Sequence, residues 1–241
     1  MKALILNSGL GHRMGDITST HPKCMTEISE SETILSRQLH LLASVGVTEV
    51  VMTTGYFDKI LVDYCDSMGL PLHYTFVHNP IYAETNYIYS IYCAREELRD
   101  QDILLLHGDL VFEESVLRDV LAFDKSCMKV SSTVPLPEKD FKAVVRGGRV
   151  AKVGVEFFEE AMEAQAMYKL NREDWNLWLD KICEYCETGK RKCYAEVAFN
   201  EISDTCPIYA YDVEDRLCAE IDTPEDLSLI KKRVAQLTEK A

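Results

Sequence analysis

The stretch Lys2-Ala3-Leu4-Ile5-Leu6-Asn7-Ser8-Gly9-Leu10-Gly11-His12-Arg13-Met14-Gly15, followed after a short polar segment by His21-Pro22-Lys23-Cys24, sets how the whole chain is read. Lys2 to Leu6 is a short apolar strand that empties directly into a glycine-rich loop. Glycine has no Cβ and tolerates positive φ, so such a loop lets backbone N–H groups come close to a phosphate. Arg13 and Lys23 supply positive charge beside it. Taken alone, three glycines in seven residues also suit an ordinary surface turn.

Working outward, Glu32 to Val45 has apolar residues at helical spacing and stops at Gly46. Val47 to Thr53 reads as a β-branched strand, Gly55 to Met68 as a helix and Leu72 to Val77 as a third strand. Two strand–helix–strand units in succession predict a mostly parallel sheet covered on both faces. A helix is expected from Tyr87 to Leu98. Ile103 to His107 is a fourth strand, apolar as a central strand should be, and it ends in Gly108-Asp109. Acidic residues at the carboxyl ends of such strands stand where α/β sheets bind ligands. Glu113 to Phe123 is the helix expected next.

Beyond Lys125 the pattern loosens. Strands are expected at Met128 to Val134, at Phe141 to Val145 and, across a Gly147-Gly148 hairpin turn, at Arg149 to Val155. Met162 to Leu170 suits helix by its alanines and methionines, and we read Gln165 to Leu170 as a strand. Asn171 is a candidate N-cap for a helix from Arg172 to Glu187, striped by Trp175, Leu179, Ile182 and Cys186. Tyr194 to Asn200 reads as a short helix and Ile208 to Val213 as a strand. Glu220-Ile221-Asp222 is a second acidic strand end, and Thr223 with Pro224 opens a last helix to about Leu237. No internal repeat is visible. The expectation is one domain over residues 1–241, with a nucleotide-binding half over about 1–124 and an acceptor-binding, closing half over about 125–241.

Composition narrows the function. The chain has 241 residues, is 47% hydrophobic and carries a formal net charge of -14. That charge argues against nucleic-acid or anionic-membrane surfaces, which call for a basic face, but local cations and a divalent metal can still hold a nucleotide. No run approaches the length of a transmembrane helix, and Met1 leads straight into the first strand, which leaves no room for a signal peptide. The nine cysteines are odd in number; Cys183 and Cys186 stand three apart on an expected helix, one Cys-x-x-Cys spacing with no second pair, and the rest are scattered. They read as reduced thiols in a cytoplasmic protein, and their spacing disfavours a zinc site.

The opening loop, Gly108-Asp109 and Glu220-Ile221-Asp222, taken together and in order, resemble the sugar-phosphate nucleotidylyltransferase superfamily. Within it the chain is most similar to the small bacterial choline-phosphate cytidylyltransferases and 2-aminoethylphosphonate cytidylyltransferases. The family opens with two alanines, Gly-x-Gly, Arg and a later Pro-Lys; here Asn7-Ser8 replace the alanines, while Gly9, Gly11, Arg13 and Pro22-Lys23 keep the rest. The family's aspartate-rich fourth-strand end is here the single acid Asp109.

The resemblance implies an α/β, Rossmann-like three-layer sandwich with a mostly parallel mixed sheet, the nucleotide-diphospho-sugar transferase fold. It implies that Leu6, Asn7, Gly9, Leu10, Gly11, Arg13, Lys23, Asn86 and Asp109 contact the nucleotide, with Lys23, Arg13 and Asp109 catalytic. Asp109, Glu220 and Asp222 would hold Mg²⁺. Asn86 and Tyr87 match an Asn-Phe/Tyr pair in the choline-phosphate enzymes, and Tyr194 and Glu196 match an aromatic–acid segment on the acceptor side. Trp175 is the further aromatic assigned there; Tyr194, Glu196 and Trp175 also suit plain packing or surface roles. The implied reaction transfers CMP from CTP to phosphocholine or 2-aminoethylphosphonate and releases pyrophosphate, in a monomer or homodimer. The alternative is a sugar-1-phosphate nucleotidylyltransferase using UTP, CTP or dTTP.

Overall fold

A computed structural model of the chain describes residues 1–9 and 11–240, with the side chains of His12, Thr238 and Lys240 left out. Leu10, one of the expected nucleotide contacts, lies outside the described residues. The strands are β1 (Lys2–Leu6), β2 (Glu49–Thr54), β3 (His73–His78), β4 (Ile103–His107), β5 (Leu110–Phe112), β6 (Cys127–Ser131), β7 (Lys142–Arg146), β8 (Arg149–Gly154), β9 (Ala161–Leu170), β10 (Tyr209–Asp212) and β11 (Cys218–Glu220). The helices are α1 (Ile34–Ser44), α2 (Asp58–Ser67), α3 (Tyr87–Cys93), α4 (Arg95–Leu98), α5 (Glu114–Ala122), α6 (Arg172–Glu187), α7 (Ala195–Ile202) and α8 (Pro224–Lys240).

Among the described residues, nine strands form one sheet in the order β3-β2-β1-β4-β9-β6-β10-β8-β7. β1 runs parallel between β2 and β4, and β3 extends the sheet parallel to β2. Alternation along β1 and β4 explains why both sheet faces are covered. Leu4, Leu6, Ile103 and Leu105 pack into one core with Ile88, Ile91, Trp178 and Phe199. Ala3, Ile5, Leu104 and Leu106 pack into the other with Leu35, Leu39, Leu61, Val116 and Leu117. Helices α3, α6 and α7 therefore lie on one face and α1, α2 and α5 on the other. This is the α/β three-layer arrangement expected from the sequence.

Three local expectations change. The stretch Met162 to Leu170 is strand throughout, and β9 is longer than read, because it sits between β4 and β6 and its far end also pairs with β7. The helix read from Tyr87 to Leu98 breaks at Ala94 into α3 and α4. Asn171 precedes α6 as read, yet its side chain makes no cap; its Oδ1 accepts from Lys169 Nζ at 3.0 Å instead.

A fourth difference positions the site. The turn after β4 leads into β5, which pairs antiparallel with β11 as a separate two-stranded sheet, Leu110 opposite Glu220. Ile221 N donates to Asp109 O at 3.1 Å. Two acidic strand ends far apart in sequence are thereby stitched side by side. Gln38 of α1 braces the same turn, donating to His107 O (2.9 Å) and Leu110 O (2.7 Å).

Candidate active site

The site is built where the first strand ends. Asn7 N donates to Thr53 O on β2 at 3.2 Å, and the chain then passes so close to Gly55 that a β-carbon there would lie 2.5 Å from Ser8 O. Gly11, at φ 66, turns the loop into a short helical segment, and Thr18 Oγ1 closes it by donating to Gly11 O at 3.0 Å. Positive φ is nearly free for glycine and strained for other residues. Pro22, with φ -66, leads into a second single-turn segment that starts at Lys23.

Lys23 Nζ lies 2.6 Å from Asp109 Oδ2 and 2.6 Å from Asp222 Oδ1, while Arg13 Nη1 lies 2.9 Å from Asp222 Oδ2. Two cations and two carboxylates thus balance one another at the mouth of the cleft. Burial alone would push the Lys23 ammonium down, but Asp109 and Asp222 outweigh it and hold it above the ordinary lysine value. Burial would likewise raise Asp109; Lys23, then His107, keep it below the usual carboxylate range. Behind them His107 Nδ1 donates to Glu220 Oε1 at 2.8 Å. Burial opposes a charged imidazole, yet Glu220 and Asp109 lift His107 to about 9. The Glu220 carboxyl is pushed up by its own burial and by Asp109, against the pull of His107.

Asp109 Oδ1 is buried without a hydrogen-bond partner among the described residues. His107, Asp109 and Glu220 each offer a ligand atom, all within 4.8 Å of one another. Carboxylate oxygens are the hard donors that Mg²⁺ takes, whereas an imidazole suits it less. The two carboxylates of this group fit a divalent cation; Asp222, the third acid expected from sequence to hold it, lies outside the group and is held by Lys23 and Arg13.

Three connected cavities meet at Asp109. The first, about 330 Å³, is lined by Leu6, Asn7, Gly9, Gly11, Arg13, Pro22, Lys23, Cys24, Gly108 and Asp109. The second, about 190 Å³, is lined by Ser8, Gly9, Asn79, Tyr82, Thr85, Asn86, Ser90 and His107 among others. The third, about 310 Å³, brings Arg13, Asn86, Tyr87, Lys139, Asp140, Phe141, Tyr194, Glu220 and Asp222 together. The aromatic rings there form one wall: Tyr194 packs on Phe141 at 5.0 Å and on Tyr87 at 5.9 Å between centroids. Burial, then Asp222 and Asp226, push the Asp140 carboxyl up, partly countered by Arg13.

Of the residues singled out from sequence, the described nucleotide set lines these cavities, and Asn86 also caps α3 by accepting from Tyr87 N at 2.7 Å. Tyr87 and Tyr194 line the third cavity. Two expectations are corrected. Trp175 is fully buried and its Nε1 donates to Leu98 O at 3.0 Å, so it belongs to the core and not to an acceptor wall. Glu196 is 1% exposed, and both its oxygens are taken: Tyr168 OH donates to Oε1 at 2.9 Å and Tyr87 OH to Oε2. It holds the wall and does not face the cavity. His107, Lys139, Asp140 and Phe141 were not assigned from sequence; no local pattern marks them, because they meet only through the β7 segment and the turn after β4.

Residues 3–133, just over half of the chain, match the family of MobA-like NTP transferase domains. A CMP-5'-(3-aminopropyl)phosphonate synthase of Streptomyces rubellomurinus is 38% identical over 138 residues, 56% of this chain and 21% of the relative. A CTP:phosphoglutamine cytidylyltransferase of Campylobacter jejuni is 26% identical over 50% of this chain and 48% of its own. The matches thus span less than half of these curated relatives. In fold, the chain superposes on the CTP:phosphocholine cytidylyltransferase of Streptococcus pneumoniae with a TM-score of 0.77 at 19% identity, covering 97% of this chain and 98% of the other. The architecture is that of the nucleotide-diphospho-sugar transferase fold.

Proposed function

The chain belongs to the family of MobA-like NTP transferase domains, and on that premise we propose that it is a Mg²⁺-dependent cytidylyltransferase that transfers CMP from CTP to a small amino-alcohol phosphate or phosphonate. The observation that carries this reading is Lys23 Nζ set 2.6 Å from both Asp109 and Asp222, with Arg13 beside them, at the junction of three cavities. The cation-lined first cavity suits the triphosphate.

An oxygen of the acceptor attacks the α-phosphorus, the bond from that phosphorus to the bridging oxygen breaks, and pyrophosphate leaves. The acceptor is already anionic, so the protein needs no strong base. Its task is to bring two anions together and to meet the charge that develops on the transferred group. Lys23 and Arg13 do this as fixed cations. A divalent cation on Asp109 and Asp222 would add further charge neutralisation on the phosphates.

The third cavity supports the choice of acceptor. Arg13 and Lys139 can take the acceptor's phosphate or phosphonate, while the Tyr87–Phe141–Tyr194 wall and the acids Asp140 and Glu220 suit a cationic amine by cation–π contact and charge. Phosphocholine and aminoalkylphosphonates have both ends. The names of the aminopropylphosphonate synthase and phosphoglutamine enzyme point to the same class of acceptor. No described helix is long and apolar enough to cross a membrane. We place the activity in the cytoplasm, in keeping with cysteines that are all free thiols.

The test is a matrix of four nucleotides against phosphocholine, phosphoethanolamine, 2-aminoethylphosphonate and common sugar phosphates, read as pyrophosphate with Mg²⁺ and with EDTA. CTP with an amino-alcohol acceptor is expected to give the highest rate, and EDTA to abolish it. Preference for a sugar phosphate would overturn the acceptor assignment; no release from any pair would overturn the enzyme reading.

A further inference from the structure

Lys139, Asp140 and Phe141 are consecutive, and all three line the third cavity. They stand in the connection between β6 and β7. No helix or strand runs through residues 132–140, so side chains have to fasten that stretch. Its start is tied by Ser131, whose Oγ accepts from Val134 N at 3.0 Å and donates to Glu214 O at 2.6 Å. Asp212 Oδ1 also accepts from Ser132 N at 3.1 Å. Its far part is tied by Lys142, whose Nζ donates to Pro137 O at 2.5 Å. That bond reaches back five residues and closes a loop around the three cavity-lining side chains.

Alternation along a strand makes the fastening possible. Phe141 and Ala143 pack into the core beneath α3, α6 and α7, and Lys142 between them turns to the opposite face. There it is fully buried. Its ammonium meets the Pro137 carbonyl and the Phe158 ring at 4.2 Å, with no carboxylate in ion-pair contact among the described residues. A lysine is rarely buried in this way, because an ammonium taken from water loses its hydration. Burial pushes Lys142 below the ordinary lysine value, against the pull of Asp140, Glu156 and Glu138. An apolar side chain would fill the same space without that penalty, but it could not hold Pro137.

We propose that Lys142 is a positioning residue for the acceptor: by closing the loop from Pro137 to Lys142 it fixes Lys139 and Asp140 in the third cavity. The inference rests on the reading above that this cavity takes the acceptor. It adds a residue that touches neither substrate and acts through its neighbours.

The experiment compares Lys142→Met with the unaltered chain, using CTP with phosphocholine and with 2-aminoethylphosphonate. The KM for the acceptor is expected to rise about 10-fold, the scale of one lost hydrogen bond. The KM for CTP and kcat at saturating acceptor should stay at parental values, the pattern of lost binding without lost chemistry. Hydrogen exchange without substrate should be faster over Glu138 to Phe141 and unchanged along β1 and β4. Phe158→Ala, at a half-exposed position that does not threaten the fold, uncovers the same ammonium to water. It should move both readouts the same way by a smaller amount. Parental exchange over Glu138 to Phe141 in Lys142→Met, or a parental acceptor KM, overturns the proposal and leaves the nucleotidyltransferase reading intact. Acceptor and CTP KM rising together, with a lower melting temperature and Phe158→Ala at parental values, assign Lys142 to the fold alone and also overturn it. If the parent releases no pyrophosphate with either acceptor, the acceptor reading of the cavity and this inference fall together.

Discussion

Lys23 answers two carboxylates at once, so under the proposed mechanism its removal is a charge problem as well as a catalytic one. Lys23→Met is expected to lower turnover by about 10²- to 10³-fold, the scale seen when a donor to a transition-state anion is removed. It also leaves Asp109 without its cation, while Arg13 still holds Asp222. The variant should therefore melt below the parent in EDTA and recover on adding Mg²⁺, which barely shifts the parent. Absence of that recovery would exclude these acids as a metal site. The pH response follows from the same pairs. Lys23 is raised above 10.5, so its contribution is complete below that value and is lost as pH rises through the higher folded-state value. Asp109 is lowered from 3.8, so its contribution is complete well above that value and is lost as pH falls through the lower one. His107 gives a window within easy reach. Lifted from 6.5 to about 9, it stabilises fully below pH 6.5 and loses that contribution as pH rises through about 9. In chelator, urea denaturation should show a His107→Gln penalty at about pH 6 that has faded by about pH 10. A penalty constant across that range would contradict a charged His107–Glu220 pair.

At the scale of elements, the start of α8 holds Asp222 in place. Thr223 Oγ1 accepts from Asp226 N at 3.2 Å, and Asp226 Oδ2 accepts from Thr223 N at 2.8 Å and Asp222 N at 3.1 Å. Thr223→Ala should cost about 1 kcal/mol in denaturant, as a lost cap does, with little change in turnover. Asp226→Ala removes the clamp on Asp222 as well, so it should also raise the Mg²⁺ concentration needed for half-maximal pyrophosphate release. Equal Mg²⁺ curves for the two variants would show that the cap does not position the acid. This cap was legible in the sequence because Thr223, Pro224 and Asp226 are neighbours whose roles are local. The same holds for α6, whose bounds follow from one apolar stripe. The β5–β11 pair was not legible: three-residue strands carry no periodicity, and they pair across a long sequence separation. Trp175 was misplaced for a related reason, since an aromatic on an apolar stripe has the same composition whether it faces a core or a cleft. Glu196 shows the converse, an acid read as a ligand that instead ties α3, β9 and α7 through Tyr87 and Tyr168. Glu196→Ala leaves two buried hydroxyls unpaired and should cost about 2–6 kcal/mol; Tyr168→Phe, which removes one donor, should cost less.

At the scale of the molecule, the division expected at about residue 124 separates neither the cavities, the third of which is lined from both sides of it, nor the sheet. β9 comes from the second half and lies against β4 of the first, with Leu106 opposite Met167 and Ile103 opposite Leu170. On its other side β9 pairs with β6, and the buried Lys129–Glu163 pair, 2.5 Å apart, joins those two strands. A fragment of residues 1–124 would keep β3-β2-β1-β4 but expose the whole outer edge of β4, an apolar strand buried at every position from Ile103 to Leu106. Open edges of that kind pair with other chains. We expect the full chain to unfold in one cooperative transition, with calorimetric and van't Hoff enthalpies equal, and the isolated fragment 1–124 to aggregate or remain loosely structured. A fragment that is monomeric, melts cooperatively and binds CTP would show that the nucleotide half is a unit in its own right. The proposed acceptor wall and the central sheet share β9: Met167 fills the core beneath β4, and Tyr168 on the opposite face donates to the Glu196 that fixes Tyr87. Closing the acceptor side and completing the sheet are then one event, and neither can be reached by folding the first half alone.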